Sequence, residues 1–325
     1  MARWQLILGA LGTTVALLLV LSLVDWSALV HAWRDLSLAV ILGAAAASII
    51  ATLLQAYRWV VLVAGATAGD RRKAFRHALV GQSFNAVTPA AVGGDAYRVA
   101  VARDLPGGRA RATGLVVLER LVGVAAFAMI YLIAYASMAA EGAPPAVFSA
   151  AAVAFLAPAA FPLLILAVMR MRLELAVERL LPQRLSWVAG AVAAVSTVTP
   201  ARLLAVLGLS IAGAVSWIFC VGILAYGAGL ALAPGALTGA VIVAEFARLL
   251  PISIQGIGVR EATFAWLATE AGAAAAPAVV ACATAYALHF FLVTVIALME
   301  RTALAPHTAG IGKPMVEKRE REDGI

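Results

Sequence analysis

The chain of 325 residues is 64% hydrophobic and only 13% charged, and its mean hydropathy is +0.98. A soluble chain carries roughly a quarter charged residues, so this composition excludes an ordinary soluble protein. The apolar residues occur in blocks of about the ~20 residues that cross a bilayer as a helix. No long alternating pattern indicates a barrel. The sequence therefore predicts an all-α polytopic membrane protein, because helices satisfy their backbone groups inside lipid.

The formal net charge of +7 does not indicate a nucleic-acid partner. The basic residues cluster in short segments between apolar blocks, which is the pattern of cytoplasmic loops. The two cysteines, Cys220 and Cys282, lie in apolar segments without metal-ligand spacing. We therefore expect both to be buried, and we expect no metal or cofactor. The first apolar block has no evident small-residue cleavage site, so we expect a membrane span rather than a signal peptide.

Six apolar blocks predict six full spans, at residues 5–24, about 38–64, 113–138, 147–169, 203–230 and 277–299. The basic segments 69–78 and 103–112 are expected in the cytoplasm, and so are both termini. Residues 170–184 mix charges with leucines and predict a helix along the membrane surface. Residues 187–198 are compatible with its extension or with entry into the bilayer. The charged tail, 305–325, is expected to be disordered.

Two further segments, about 75–101 and 236–269, are apolar but too interrupted for one spanning helix. They contain "NAVTPAAVGGDAYR" at 85–98 and "LLPISIQGIGVRE" at 249–261. The first lies between two basic loops, so it leaves the cytoplasm and returns. Non-helical backbone at membrane depth requires contact with protein or with a wet cavity. The pattern therefore predicts two re-entrant hairpins made of broken helices.

The two hairpin sequences share their spacing. A glycine follows each proline by five residues and an arginine follows it by nine; the matched pairs are Pro89 and Pro251, Gly94 and Gly256, and Arg98 and Arg260. Three predicted spans separate the copies, and an odd number places the hairpins on opposite faces. This predicts an inverted-topology repeat, with halves at about 38–140 and 203–300, within one membrane domain at 1–304.

Ionisable residues in or beside these membrane segments predict a polar cavity. Each costs about 2.5–3.5 kcal/mol at mid-bilayer, even on lenient scales. The set is Arg58, Asp95, Arg98, Glu119, Arg120, Glu245, Arg248, Arg260, Glu261 and His289. The alternative is that Pro and Gly only kink two spanning helices, while Arg58 and Arg120 extend to the cytoplasmic surface.

These motifs resemble the transmembrane, flippase-like domain of lysylphosphatidylglycerol synthases, which also occurs as stand-alone proteins. The resemblance covers nearly the whole chain and rests on residues 85–98, "ER" at 119–120, residues 251–261 and "RW" at 58–59. It implies movement or handling of an anionic lipid in the cytoplasmic (inner) membrane. Only about two dozen residues follow Arg301, so we expect no synthase domain and no enzyme activity. A lipid-synthesising enzyme is a possible partner.

The hypothesis for the site is a phospholipid or polyprenyl-phosphate head group held between the two hairpin tips. Helix N-termini favour anions, and a guanidinium matches phosphate oxygens. The substrate-binding candidates are Asn85, Gly93, Gly94, Arg98, Gly256, Gly258 and Arg260. The charge-balancing or coupling candidates are Asp95, Glu119, Arg120, Glu245, Arg248 and Glu261. The helix breaks are assigned to Pro89 and Pro251.

Two other functions compete with lipid transport. "GGD" at 93–95 invites comparison with intramembrane aspartyl proteases, but Val92 stands where their motif needs glycine, and a second intramembrane aspartate is missing. A non-transporting scaffold or regulator of a lipid-modifying enzyme or glycosyltransferase is the other alternative. It would need a partner surface but no polar cavity.

The predicted topology can be tested with single cysteines. Cysteines at Arg72, Arg109 and Arg184 should react only with thiol reagents added on the cytoplasmic side, because they lie in basic loops. Cysteines at Gly142 and Gly235 should react only from outside. Labelling of positions 142 and 184 from the same side would contradict both the topology and the inverted repeat.

Overall fold

The structure is a computed structural model that describes residues 11, 13–15, 18, 25–63, 68–88, 91–102, 108–170, 186–250 and 253–304. Most of the predicted first span, most of the predicted surface helix, both candidate break prolines and the tail lie outside these residues. Twelve helices account for most of the described chain: α1 (Trp26–Arg34), α2 (Leu38–Val63), α3 (Ala68–Asn85), α4 (Gly93–Val101), α5 (Gly108–Glu141), α6 (Ala146–Ala159), α7 (Phe161–Arg170), α8 (Ser186–Ser196), α9 (Pro200–Gly227), α10 (Pro234–Ala247), α11 (Val259–Glu270) and α12 (Ala275–Leu304).

Within the residues that the structure describes, five stretches of helix are long and apolar enough to cross a membrane: Leu38–Val63, Gly108–Glu141, Ala146–Ala167, Pro200–Gly227 and Ala275–Glu300. They correspond to five of the six predicted spans, and the predicted class of polytopic helical membrane protein is confirmed. The start of α9 shows how the sequence sets a helix end. Thr199 accepts a hydrogen bond from the Arg202 amide at 3.3 Å, and Pro200 occupies the first position, where no amide is needed.

Both predicted breaks are present. The helix stops at Asn85 and resumes at Gly93, and it stops at Ala247 and resumes at Val259. The helices on either side have 18, 9, 14 and 12 residues. Each is shorter than the ~20 residues that one span needs. The two segments are thus pairs of short helices rather than single kinked helices, and we call α3–α4 the first broken pair and α10–α11 the second.

Each broken pair packs within itself and against a long helix. Helix α2 packs along α9, and within each broken pair the two short helices pack together. Helix α3 of the first pair packs against α12, where Arg76 forms an ion pair with Glu300. Helix α10 of the second pair packs against α5. Each broken pair therefore lies against a long helix from the other half of the chain.

Two separate apolar clusters form the core, and the long helices run through both. On α5, Leu115 and Leu118 belong to one cluster and Tyr131 to the other. On α9, Leu203 belongs to the first cluster and Leu224 to the second. Glu119 lies between Leu118 and Tyr131 in the sequence of α5, and Ser210 lies between Leu203 and Leu224 in that of α9. Both helices therefore carry a buried polar residue between members of the two clusters.

The first broken pair depends on glycine for close packing. A Cβ atom at Gly94 would overlap the carbonyl oxygen of Gly81 and would lie 2.8 Å from Asn85 Oδ1. The backbones of α3 and α4 therefore approach more closely than any other residue permits. A similar overlap, with the Ala191 carbonyl, occurs at Gly114, where α8 packs against α5.

The substitution Gly94→Ala should lower the melting temperature of the purified protein. The added methyl group meets backbone atoms, and overpacking of this kind costs about 1–3 kcal/mol. The matched control is Gly208→Ala in α9, where an added Cβ meets no atom within 4 Å. It should leave the melting temperature unchanged or raise it, because alanine favours helix. Equal effects of the two substitutions would refute the packing role.

Candidate functional site

A continuous chain of ion pairs runs through the centre of the molecule. Arg58 Nη2 lies 3.2 Å from Glu119 Oε1, and Arg98 Nη1 donates to Glu119 Oε2. Arg98 Nη2 lies 2.6 Å from Asp95 Oδ1, and Arg120 Nε donates to Asp95 Oδ2. Each oxygen of the two carboxylates therefore has a guanidinium partner. We call these five residues the charge chain.

The ends of the charge chain are also bound. Arg58 Nη1 donates to Ser210 Oγ at 3.1 Å, and Arg120 Nη2 donates to the Ala91 carbonyl oxygen. The Arg98 guanidinium carbon lies 4.6 Å from the centre of the Trp59 ring. The charge chain thus connects α2, α4, α5 and α9, and it binds the backbone of the first break directly.

The second broken pair is arranged differently. Glu245 accepts a hydrogen bond from Trp217 Nε1 at 2.7 Å and pairs with Arg248 Nε at 2.9 Å. Glu261 Oε2 accepts from the Gly258 amide at 2.7 Å, at the start of α11. The side chain of Glu261 therefore caps its own helix.

Arg260 is buried without a carboxylate partner among the described residues. It is 1% exposed, and its Nε and Nη1 find no hydrogen-bond partner in the described part of the chain. Its guanidinium carbon lies 3.0 Å from the centre of the Tyr286 ring. The nearby Glu261 carboxylate is engaged by the helix end, so the aromatic ring is the partner that the structure gives to this cation.

A cavity of about 190 Å³ lies between the two broken pairs. Charged groups from both pairs and from α2 and α5 line it: Arg58, Asp95, Arg98, Glu119, Arg120, Glu245 and Arg248. Four arginines face three carboxylates there, so the charged lining carries one net positive charge. Such a cavity favours an anion, and it lies inside a bundle whose lipid-facing surface is apolar.

Seven of the candidate site residues line this cavity: Asn85, Asp95, Arg98, Glu119, Arg120, Glu245 and Arg248. Arg260 and Glu261 are not in its lining. Arg260 lies beneath the ring of Tyr286, and Tyr286 is part of the cavity lining. The four candidate glycines are also absent from the lining, and their contact with a lipid stays a prediction.

The helix N-termini of the two broken pairs are not free, which differs from the expectation for an open anion site. Asn85 Oδ1 accepts from the Gly94 amide at 2.7 Å, and Thr88 Oγ1 accepts from the Gly93 amide at 2.9 Å. Glu261 does the same for Gly258. An unpaired amide inside an apolar bundle is costly, so side chains of the breaks themselves satisfy these groups.

Both breaks contain strained backbone at the cavity wall. Ala91 has a φ of 51° and Gln255 a φ of 55°, a region that residues with a Cβ rarely adopt. Both residues line the cavity. Backbone strain of this kind persists where surrounding contacts hold it, and it clusters at functional sites.

The structure adds polar residues that sequence reasoning did not assign to the site. Gln55, Gln82, Ser210, Trp217 and Tyr286 all line the cavity. Isolated polar residues in apolar helices carry little information by themselves. Helical spacing was the available indication, since Gln55 precedes Arg58, and Tyr286 precedes His289, by three residues on one helix face.

The fold and the site together define a polytopic helical membrane protein with a charged cavity between two broken helix pairs. Residues 6–297 match the family described as the lysylphosphatidylglycerol synthase TM region, and the chain belongs to this family. The resemblance carried by the two hairpin motifs is thereby confirmed. The comparison with curated proteins returned no match.

The charge chain predicts an order of stabilities. Glu119→Gln should lower the melting temperature more than Arg98→Gln, because it leaves three arginines against one carboxylate. Arg98→Gln leaves two one-to-one pairs. Removing one partner of a buried pair costs about 3–5 kcal/mol. Adding Arg98→Gln to Glu119→Gln should recover part of the loss.

The matched control for that series is Glu300→Gln. Glu300 pairs with Arg76, and its side chain is 22% exposed, against 4% for Glu119. A partly exposed pair contributes only about 0–1 kcal/mol, so the melting temperature of the Glu300→Gln variant should change little. The role of Glu119 as the centre of the network is disproved if the two glutamine variants melt alike.

Proposed function

We propose that the protein translocates or handles an anionic lipid across the cytoplasmic membrane, with the head group in the cavity between the broken pairs. The lipid is a phospholipid or a polyprenyl-phosphate-linked compound. The observation that carries this proposal is the net positive cavity inside an apolar bundle of the lysylphosphatidylglycerol synthase TM family. In this proposal the protein is a transporter rather than an enzyme, and a lipid-synthesising enzyme is its partner.

The chemistry of the lining supports an anionic head group. Guanidinium groups match phosphate oxygens in geometry and keep their charge at any physiological pH. The carboxylates of the cavity already accept hydrogen bonds from arginine or tryptophan side chains. They hold the arginines in place when no lipid is bound, and an entering phosphate would supply the missing negative charge.

The packing of the helices supports an inverted repeat built from two re-entrant hairpins. Helix α3 packs against α12, and α10 packs against α5, while α2 packs along α9. This reciprocal pattern is expected when two similar halves are related by a pseudo-two-fold axis. In such transporters the substrate lies where the halves meet, and one half moves against the other. Both termini are proposed to lie in the cytoplasm.

The direct test is reconstitution into liposomes that contain labelled phospholipids or labelled polyprenyl phosphates. We expect the protein to accelerate movement of an anionic lipid between leaflets, and zwitterionic lipid to move more slowly. Gly123 lines the cavity, so Gly123→Leu should fill it and reduce the rate at least about tenfold. Gly208→Leu adds the same group where no atom lies within 4 Å of the Cβ position and should not reduce the rate.

The outcome decides between transport and a scaffold role. Melting temperatures of both leucine variants must first show that each is folded. Movement no faster than in protein-free liposomes, for every lipid class, would exclude transport and leave the scaffold or regulator. A rate unaffected by Gly123→Leu would exclude the cavity as the head-group path.

A further inference from the structure

We infer that Arg260 is the guanidinium that receives the phosphate, and that the ring of Tyr286 is the gate that covers it. This inference rests on the proposed function, because it names the phosphate-binding group of the same cavity. It assigns Arg98, the other candidate clamp, to positioning the first broken pair. The ligand class is a phosphate monoester or diester carried on a lipid.

Arg98 has little capacity left for a ligand. Its Nη1 and Nη2 each donate to a carboxylate, Glu119 on one side and Asp95 on the other. Its guanidinium also stacks on Trp59. A phosphate at Arg98 would have to displace a buried carboxylate, and that carboxylate would then lie in the cavity as a competing negative charge. The geometry therefore disfavours anion binding there.

Arg260 has the opposite properties. Its side chain is 1% exposed, yet Nε and Nη1 have no hydrogen-bond partner in the described part of the chain. Nε and Nη1 lie on different edges of the guanidinium, and each is a charged donor that can give a hydrogen bond to an oxygen of an anion. A buried cation with unused donors is unfavourable until an anion arrives. The ring of Tyr286 stabilises the cation only in part.

The position of Tyr286 makes it the cover. Tyr286 is part of the cavity wall, and its ring lies over the Arg260 guanidinium carbon at 3.0 Å. Its neighbour in the wall is Trp217, whose ring centre lies 4.9 Å away. Displacement of the Tyr286 ring would therefore expose Arg260 to the same space that the head group is proposed to occupy.

A second arginine is already at this point of the cavity. Arg248 lines the cavity, and its side chain is 28% exposed. The backbone at Gly256 lies between the two arginines: a Cβ there would overlap the Arg248 side chain and would lie 3.2 Å from Arg260 Cγ. Arg248 and Arg260 therefore flank the second break, and Arg248 is paired with Glu245.

The test measures binding to the purified full-length protein in detergent by titration calorimetry. The probes are dodecyl phosphate, which presents the phosphate on an alkyl chain, and inorganic phosphate, which distinguishes a lipid head group from a free ion. We expect dodecyl phosphate to bind at least tenfold more tightly than inorganic phosphate. Arg260→Gln should weaken dodecyl phosphate binding at least tenfold, and Arg260→Lys should weaken it less, since it keeps the charge but not the fork.

A second set of variants tests whether Tyr286 covers Arg260. Tyr286→Ala should bind dodecyl phosphate several-fold more tightly than the unaltered protein, because no ring has to move, whereas Tyr286→Phe should bind as the unaltered protein does. The matched control is Phe127→Ala, which enlarges the same cavity without uncovering an arginine. Equal tightening by Phe127→Ala would overturn the gate, and full binding by a folded Arg260→Gln would overturn the site.

A second measurement covers the case in which Arg260→Gln does not fold. Phenylglyoxal modifies accessible arginines, and peptide mass spectrometry locates the modification. Arg260 should react faster in Tyr286→Ala than in the unaltered protein, and dodecyl phosphate should protect it. Equal rates of Arg260 modification in Tyr286→Ala and in the unaltered protein would overturn the inference. Binding at Arg260 without lipid movement in liposomes would reject the transport function alone, whereas lipid movement that tolerates Arg260→Gln would reject the inference alone.

Discussion

The pairing of Glu119 with two arginines is the interaction on which the centre of this fold depends. Glu119 is 3% exposed on an apolar spanning helix, and such a carboxylate is tolerable only when it is fully paired. Arg58 and Arg98 supply that pairing from two other helices, and Asp95 and Arg120 extend the network to the backbone of the first break. The same contacts that stabilise the break thereby create a polar cavity, since the charged groups cannot pack as apolar side chains do.

The two broken pairs share a motif but not its chemistry, and helix geometry explains the difference. Asp95 precedes Arg98 by three residues, so both side chains lie on one face of α4 and pair. Glu261 follows Arg260 directly, so the two point in different directions, and Glu261 turns back to the amide of Gly258. The acidic residue stands at a different position in the second motif, so Arg260 has no carboxylate partner among the residues that the structure describes. In the proposed function this difference separates a structural half from a ligand-binding half.

The sequence predicts the elements better than the contacts. Long apolar blocks and interrupting residues are local properties, so five spans and both breaks are predicted in the right places. The pairing of Arg98 with Glu119 joins residues on different helices, and no local pattern determines it. The contacts of the motif glycines are likewise not predictable from the sequence. Their motif indicates close approach of backbone, but only the packing reveals that the approach at Gly94 is to Gly81 of the neighbouring helix. Tyr286 is one of several polar residues on a mostly apolar helix, and its position over Arg260 depends on the tertiary structure.

The size of the cavity limits what can enter it. A cavity of about 190 Å³ with a charged lining has room for a phosphate group. In the proposed function the acyl chains stay in the surrounding bilayer while the head group enters the cavity. The two broken pairs also resist opening unequally. Separating α4 from α5 would break the buried ion pair between Arg98 and Glu119. Loss of one partner from a buried pair costs about 3–5 kcal/mol. Moving the Tyr286 ring off Arg260 gives up a cation–π contact of about 2 kcal/mol, which an incoming phosphate replaces. In the proposed function, the second broken pair is therefore the part of the cavity wall that we expect to yield to a ligand, and the charge chain is the part that we expect to stay in place.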